Sequence, residues 1–158
     1  MRLRSVGLAA ATLAIVLFTP VSGAFASTDI PLRFGAPVRT VVDNGAVGTS
    51  VGDLTVTTGD VKRSESGPRI GYYTTNQVTV RADTSTGREI RKVELSISLP
   101  SGMIFATSLI RAQTGVPPTQ PMTFAVTGGT GKYSGAHGTL VHDGVDGVPG
   151  FDVNIKLK

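Results

Sequence analysis

The sequence predicts an all-β domain, and three observations support this. Apolar residues recur with a period of two and almost never with a period near 3.6, as in strands that have one dry face and one wet face. Turn-forming sequences rich in glycine, proline, asparagine and serine separate these runs. The separations are short, so no helix is needed to connect the strands. Eight such strands can close into a barrel or split into a sandwich, and closure removes unpaired edges.

The two clearest strands lie in the second half of the chain. Residues 93–99 alternate aliphatic side chains with Glu94, Ser96 and Ser98, and residues 151–158 show the same alternation. Each predicts a strand that is buried on one face. Weaker alternation predicts six further strands, over residues 37–42, 53–61, 70–81, 103–111, 122–127 and 138–142.

The first 26 residues predict a cleavable secretory signal. Arg2 and Arg4 precede an apolar run over residues 6–18, which is followed by Pro20 and by the small-residue sequence Ala-Phe-Ala. Thirteen apolar residues fall short of the about 20 that span a bilayer. We therefore expect cleavage after Ala26, a secreted single domain over residues 27–158, and no membrane attachment of the mature chain.

Composition excludes several classes of protein. The chain has no cysteine, so disulfides, thiolate catalysis and thiolate metal sites are excluded. Removal of Arg2 and Arg4 with the signal lowers the formal charge from +4 to +2. The basic pairs at 62–63 and 91–92 are isolated and lack interleaved aromatic residues. No nucleic-acid partner is expected.

The densest glycine segment, residues 128–138, has the sequence Gly-Gly-Thr-Gly-Lys-Tyr-Ser-Gly-Ala-His-Gly. A phosphate-binding P-loop requires glycine where Val126 stands and Ser or Thr where Tyr133 stands, and a dinucleotide fingerprint must open a helix. The segment therefore predicts a strand, a tight turn and a second strand. Its shape-determining residues are Gly128, Gly129, Gly131, Tyr133, Gly135 and Gly138.

Two other patterns also lack the context that their chemistry needs. Residues 48–52 match the G-x-S-x-G pattern of a nucleophile elbow, but a strand follows the serine where a helix is required. His137 and His142 lie five residues apart on one predicted strand, so they point to opposite faces and cannot chelate one metal together. Neither a metal nor another cofactor is expected.

Three segments resemble the allene oxide cyclase and dirigent barrel superfamily. They are Gly-Thr-Ser-Val-Gly-Asp at 48–53, Gly-Tyr-Tyr at 71–73, and residues 124–138, which carry Gly-Gly-Thr-Gly, an aromatic residue and then Gly-Ala-x-Gly. His137 occupies the x position, where an arginine is common in that superfamily. The resemblance extends from about Arg33 to the C terminus. It implies an eight-stranded antiparallel β-barrel with an apolar central cavity, assembled as a homodimer or homotrimer.

The resemblance also limits the function. The superfamily includes cyclases, dirigent proteins that steer radical coupling, and bacterial barrels that close polyketide rings by cycloaddition. It implies an enzyme of natural-product biosynthesis that binds a small, flexible, apolar polyene or polyketide and directs stereoselective ring closure, such as a [4+2] cycloaddition, by preorganising the substrate. A non-catalytic dirigent protein or ligand carrier would use the same cavity, and a secreted interaction protein would have a filled barrel.

Side-chain parity suggests which residues line such a cavity. Tyr72, Thr74 and Asn76 share one face with Val78, which places a phenol, a hydroxyl and an amide among apolar neighbours. Tyr72 or Asn76 could donate a hydrogen bond to an activating carbonyl of the substrate, and are the candidate catalytic residues; alternatively, each bonds to nearby backbone.

Apolar residues complete the predicted binding site. Met103, Phe105, Met122 and Phe124 would form an adaptable wall, or equally fill gaps in a packed core. If the interior is a cavity and not an ordinary core, the expected lining is Leu54, Val56, Tyr72, Asn76, Val78, Phe105, Met122, Phe124, Val126, Phe151 and Val153.

Overall fold

The computed structural model describes residues 27–113, 116, 120–143 and 150–158, so the predicted signal at 1–26 lies outside the described residues. Nine strands and one 3₁₀ turn, Gly131–Tyr133, make up the regular structure of this part. No helix within it is long and apolar enough to cross a bilayer. The strands are β1 (Thr28–Phe34), β2 (Val38–Val42), β3 (Leu54–Lys62), β4 (Arg69–Asp83), β5 (Arg88–Leu99), β6 (Gly102–Gln113), β7 (Met122–Gly129), β8 (Gly138–His142) and β9 (Phe151–Leu157).

The strands form one antiparallel sheet that closes into an eight-stranded barrel. Around the ring the order is β1, β9, β8, β7, β6, β5, β4 and β3, and β1 pairs back on β3. This closing contact is short, with Arg33 opposite Lys62 and Phe34 opposite Val61. β2 pairs with the other half of β3 and lies outside the ring. The predicted all-β class and eight-stranded antiparallel barrel are confirmed.

Two strands differ from the sequence prediction in ways that affect the site. β1 was not predicted from sequence. It contains Pro31, a residue that disfavours strand interiors, although Ile30, Leu32 and Phe34 alternate as a strand requires. The predicted strand at 37–42 is β2, which belongs to the sheet but not to the ring. β5 begins at Arg88, five residues before the predicted start, and this extension brings additional side chains into the interior.

One half of the barrel is filled by aliphatic side chains. Residues from seven of the eight ring strands pack against one another there. Each valine, leucine and isoleucine among them contributes about 1.5–3 kcal/mol through removal of its side chain from water. The members that are 0% exposed are Val61, Ile97, Ile104, Leu140 and Ile155, and Leu32, Ala106, Val126 and Val153 surround them.

An aromatic layer lies above this filled half. The rings of Phe34 and Tyr73 stack with centroids 4.2 Å apart, and Phe151 packs against them at 5.4 Å and 5.9 Å. Gly59 lies opposite Tyr73 on β3, and a Cβ there would come within 2.5 Å of the Tyr73 ring. The absence of a side chain at Gly59 therefore lets the Tyr73 ring lie across the interior.

The glycine-rich segment lies at the filled end of the barrel. It forms the end of β7, the 3₁₀ turn and the start of β8, and Lys132 N–H donates to the Ser101 carbonyl in the neighbouring β5–β6 turn at 2.8 Å. Gly138 has φ +147°, and a Cβ there would clash with the Lys156 carbonyl oxygen. Tyr133 packs against the core. The segment shapes the closed end and takes no part in lining the open half.

Candidate functional site

The half of the barrel opposite the glycine-rich turn contains an open cavity of about 1190 Å³. It lies between the first half of β5, the second half of β6 and the starts of β7 and β9, with the aromatic layer as its floor. Small-molecule pockets usually have volumes of about 300–1,000 Å³. The cavity is therefore large enough for a ligand of several rings.

The floor of the cavity is apolar and mostly aromatic. Phe34, Tyr73 and Phe151 form its centre, and Phe124 and Leu95 lie beside them. The Tyr73 hydroxyl donates to the Gly35 carbonyl at 3.3 Å. Burial raises the pKa of Tyr73 to about 12, so its phenol stays neutral at ordinary pH. The floor offers flat, uncharged surfaces on which an apolar or aromatic group can pack.

The wall of the cavity carries a buried ion pair. Glu89 and Arg91 share the inner face of β5 with Val93, because alternate side chains of a strand point the same way. Arg91 donates through Nε to Glu89 Oε2 at 2.9 Å and through Nη2 to Glu89 Oε1 at 2.7 Å. Their side chains are 17% and 3% exposed. This bidentate geometry is the strong form of a charge-assisted hydrogen bond.

Neighbouring polar side chains on β4 extend this pair into a network. The Thr79 hydroxyl donates to Glu89 Oε2 at 2.7 Å, and Arg91 Nη1 donates to Gln77 Oε1 at 3.3 Å. Gln77 Nε2 in turn donates to the Thr75 hydroxyl at 3.3 Å. The guanidinium of Arg91 is thus held on two sides. Within the described residues three of its five N–H donors are used, which leaves two for a ligand.

His142 adds a neutral polar group to the cavity. Its ring packs against Phe151 with centroids 3.8 Å apart. Burial lowers the pKa of His142 below its usual 6.5, which keeps the imidazole uncharged at neutral pH. Its Nδ1, like the Thr57 hydroxyl, has no hydrogen-bond partner in the part of the chain that the structure describes. Both residues line the cavity, so a ligand is able to supply the missing partner.

The structure does not place Tyr72, Thr74 and Asn76 in the cavity, and the inward orientation expected for them is wrong. Tyr73 takes the interior position on β4, so its even-numbered neighbours point outward. Tyr72 is 53% exposed, and the Arg69 guanidinium lies 4.6 Å above its ring. Tyr72, Thr74 and Met103 lie together along a shallow outer depression of about 400 Å³.

The apolar residues of the predicted lining divide into three groups. Met122, Phe124 and Phe151 line the cavity as expected. Val126 and Val153 face inward but belong to the filled half. Leu54, Val56, Val78 and Phe105 point outward, because the side chains next to them in sequence, such as Thr55, Thr57, Thr79, Ile104 and Ala106, occupy the interior.

The residues that give the cavity its polarity were not predicted from the sequence: Glu89, Arg91, Gln77, Tyr73 and His142. A usable pattern was present on β5. The dry face that contains Val93 and Leu95 continues backwards to Arg91 and Glu89 in steps of two. The strand was predicted to begin at Val93 because apolar alternation begins there. On β9 and β8 no comparable pattern identified the contact between Phe151 and His142.

The G-x-S-x-G segment has a structural role. The Ser50 hydroxyl donates to the Asn44 carbonyl at 2.7 Å and lies 2.9 Å from Asp53 Oδ1, within the loop before β3. Backbone N–H groups of Ser50 and Asn44 donate to the same carboxylate, and these hydrogen bonds help to lower the pKa of Asp53. The serine therefore stabilises a turn.

Comparison with known proteins identifies the family. The model of the allene oxide cyclase barrel like domain matches residues 38–157, which is most of the chain and includes all but one of the ring strands. The chain belongs to this family. No curated protein sequence matches it.

Solved structures with this barrel include enzymes and dirigent proteins. A pyocyanin demethylase is 28% identical, with a TM-score of 0.68 over 83% of this chain and 100% of that one. The Diels–Alderase AbmU from Streptomyces koyangensis is 12% identical, with a TM-score of 0.60 over 86% of this chain and 68% of that one. The pterocarpan synthase dirigent protein PsPTS1 is 12% identical, with a TM-score of 0.56 over 84% of this chain and 94% of that one. At 12% identity the last two show the fold alone.

Proposed function

We propose that this member of the allene oxide cyclase barrel like family is an enzyme that binds a small, mainly apolar substrate in the cavity and directs its ring closure. One observation supports this more than any other. The barrel is packed at one end only, and the open end combines an aromatic floor with a fixed guanidinium, that of Arg91. Holding a flexible chain in one folded conformation is the main requirement for an intramolecular cycloaddition.

Arg91 is the group best placed to assist that reaction. A carbonyl conjugated to one reacting partner gains negative charge in the transition state, and preorganised donors that face it lower the barrier. Glu89 fixes the guanidinium from one side and Gln77 from another, so little reorganisation is needed. Arg91 thus takes the role that the sequence suggested for Tyr72 or Asn76, both of which face outward.

The experiment uses linear polyenes with a tethered, carbonyl-activated dienophile. The protein is expressed with its own leader, purified after export, and assayed for cyclised product by chiral chromatography with mass detection. We expect faster closure and one dominant stereoisomer. Arg91→Gln should slow closure about 10²–10³-fold, the usual effect of removing one such donor. Tyr72→Phe and Asn76→Ala are matched controls from the outer face and should leave the rate unchanged.

Two other outcomes would contradict the proposal. Bound substrate that closes at its uncatalysed rate with a biased stereochemistry would indicate a dirigent-like protein. Bound substrate with neither acceleration nor bias would indicate a ligand carrier. Both alternatives use the same cavity, so only the rate and the product ratio separate them from a cyclase.

A second candidate substrate is a planar aromatic heterocycle. The aromatic floor formed by Phe34, Tyr73 and Phe151 favours it, as does the 28% identity to a pyocyanin demethylase. Quenching of an added phenazine's fluorescence or a shift of its absorption band, abolished in Phe151→Ala, would support this candidate. Unchanged spectra at saturating protein would remove it.

We also propose that the reaction takes place after export and that the barrel assembles into a dimer or trimer. The predicted signal supports the first point. Apolar side chains on the outside of the sheet support the second: Val42, Leu54 and Val78 lie side by side across three strands, and Val42 and Val78 are exposed in the single chain. N-terminal sequencing of the exported protein tests the cleavage site, and light scattering tests the assembly.

A further inference from the structure

We propose that the natural substrate of this cavity is an organic anion, with an apolar body that packs on the aromatic floor and an anionic head group bound among arginines at the mouth. The inference rests on the proposed function in one respect, since it names the substrate class of the same cavity.

The charges that line the cavity are unequal. Among the described residues, five arginines from four strands line it, and two carboxylates, Asp83 and Glu89, accompany them. Within this part of the lining the excess is three positive charges, because His142 is neutral. In a cleft with low-dielectric walls such an excess concentrates ligands of opposite charge. The five arginines are Arg39 on β2, Arg81 on β4, Arg88 and Arg91 on β5, and Arg111 on β6.

Four of the five arginines, Arg39, Arg81, Arg88 and Arg111, form no ion pair within the described residues. Among the described residues, the ion pair of Glu89 and Arg91 is the one that lies within the cavity. The Asp83 carboxylate accepts hydrogen bonds from the hydroxyls of Ser85 and Thr86 at 2.6 Å and 2.8 Å, and these bonds lower the pKa of Asp83. Asp83 is therefore engaged by the hydroxyls of its own turn, and the arginines at the rim of the cavity, Arg39, Arg81, Arg88 and Arg111, remain available to a ligand.

The distance between the charged and apolar regions sets the size of the ligand. Leu95 lies at the floor and Arg91 lies four residues nearer the mouth on the same strand. Four residues of strand span about 13 Å, and a strand tilt of about 40° reduces the depth to about 10 Å. A body of two or three fused rings, or a folded chain of similar length, fills this space while its head group lies among the arginines at the mouth.

Three naphthalene probes of equal size test the inference: 2-naphthoate, 2-naphthamide and 2-naphthylmethylammonium. Their binding to the exported protein is measured by calorimetry at low and high salt. We expect the carboxylate to bind at least about tenfold more tightly than the amide, the advantage of a charge-assisted hydrogen bond. The cation should bind most weakly. Added salt should reduce the affinity for the carboxylate and leave that for the amide unchanged.

Variants assign the preference to particular residues. Arg39→Gln and Arg111→Gln remove rim charges that make no ion pair within the described residues, so the fold should be preserved. Each substitution should weaken the binding of 2-naphthoate several-fold without changing the affinity for 2-naphthamide. Arg63→Gln, in the β3–β4 turn outside the cavity, is the matched control and should change neither.

Equal binding of the carboxylate and the amide would overturn the inference, and so would a preference that survives both rim substitutions. Failure of all three probes to bind at millimolar concentration would overturn it as well. These results are independent of turnover. A carboxylate preference in a protein that accelerates no ring closure would refute only the proposed function, whereas closure of neutral polyenes without any anion preference would refute only this inference.

Discussion

Replacing Glu89 with alanine should destabilise the barrel far more than removing a carboxylate from its surface. The Glu89 side chain is 3% exposed and accepts two hydrogen bonds from Arg91 and one from Thr79. Glu89→Ala leaves a guanidinium and a buried hydroxyl without this acceptor. Removing one member of a buried ion pair costs about 3–5 kcal/mol. Arg91 is 17% exposed and faces the cavity, where water compensates in part, so we expect about 3 kcal/mol.

The same strand supplies a matched control. Lys92 Nζ lies 2.8 Å from Glu94 Oε1, with the same spacing of two residues, but this pair points outward and its side chains are 55% and 60% exposed. Glu94→Ala should therefore cost less than about 1 kcal/mol. Equilibrium unfolding in urea measures the loss of unfolding free energy in both variants. The comparison requires that the slope of this free energy against urea concentration is the same for each variant.

A double-mutant cycle separates the pair from its surroundings. Glu89→Leu and Arg91→Leu should each be costly, whereas the double variant leaves no unpaired charge and should cost well below the sum, with a coupling of about 2 kcal/mol or more. If Glu89→Ala costs no more than Glu94→Ala, then Glu89 does not hold the Arg91 guanidinium. The positioning of Arg91 in the proposed mechanism would then be wrong.

Three further predictions concern the backbone and the titrating groups. Gly138→Ala should cost at least about 2 kcal/mol, because φ is +147° and the Lys156 carbonyl occupies the Cβ position, while Gly128→Ala, which has open space, should stay within about 1 kcal/mol. Stability should fall between pH 10 and about 12, because the unfolded Tyr73 phenol ionises before the folded one, and Tyr73→Phe should flatten this slope. Stability should also fall below pH 6.5, because the unfolded His142 binds a proton more readily, and His142→Gln should remove that dependence. Urea unfolding measures all three effects. Equal losses of stability in Gly138→Ala and Gly128→Ala would contradict the first prediction, and a pH dependence of stability that persists in Tyr73→Phe or His142→Gln would contradict the other two.

The fold class follows from sequence because most of the interior obeys a simple rule. Over residues 93–99 and 151–157 one face is aliphatic and the other polar, and the structure buries the aliphatic face. The topology was harder to predict. Pro31 weakens the strand pattern of β1. No local pattern distinguishes the ring strand β1 from β2, because each of them pairs with β3. That distinction depends on long-range closure, which single-strand periodicity does not report.

The candidate site was predicted poorly because, around the cavity, polar side chains point inward and apolar side chains point outward. On β4 the apolar residues Val78 and Val80 point outward, while Thr75 and Gln77 point inward. A cavity wall that binds polar groups must present polar side chains to the interior, so hydrophobicity assigns that strand to the wrong face. On β6 both faces are apolar near Phe105, and the structure buries the face that carries Ile104 and Ala106. The alternation of side chains along β6 was predicted correctly, but hydrophobicity did not show which of the two faces is inside.

The division of the barrel along its axis separates what identifies the family from what selects a ligand. The glycine-rich turn, with Gly138 and Tyr133, is fixed by steric contacts at the closed end. The charged network of Glu89 and Arg91 lies on the other side of the aromatic layer. Because no side chain of the turn reaches the cavity lining, the turn can be preserved while the mouth changes. For a barrel of this kind, substrate class is best inferred from inward-facing polar residues near the open strand ends, where each one must be paired within the protein or with a ligand.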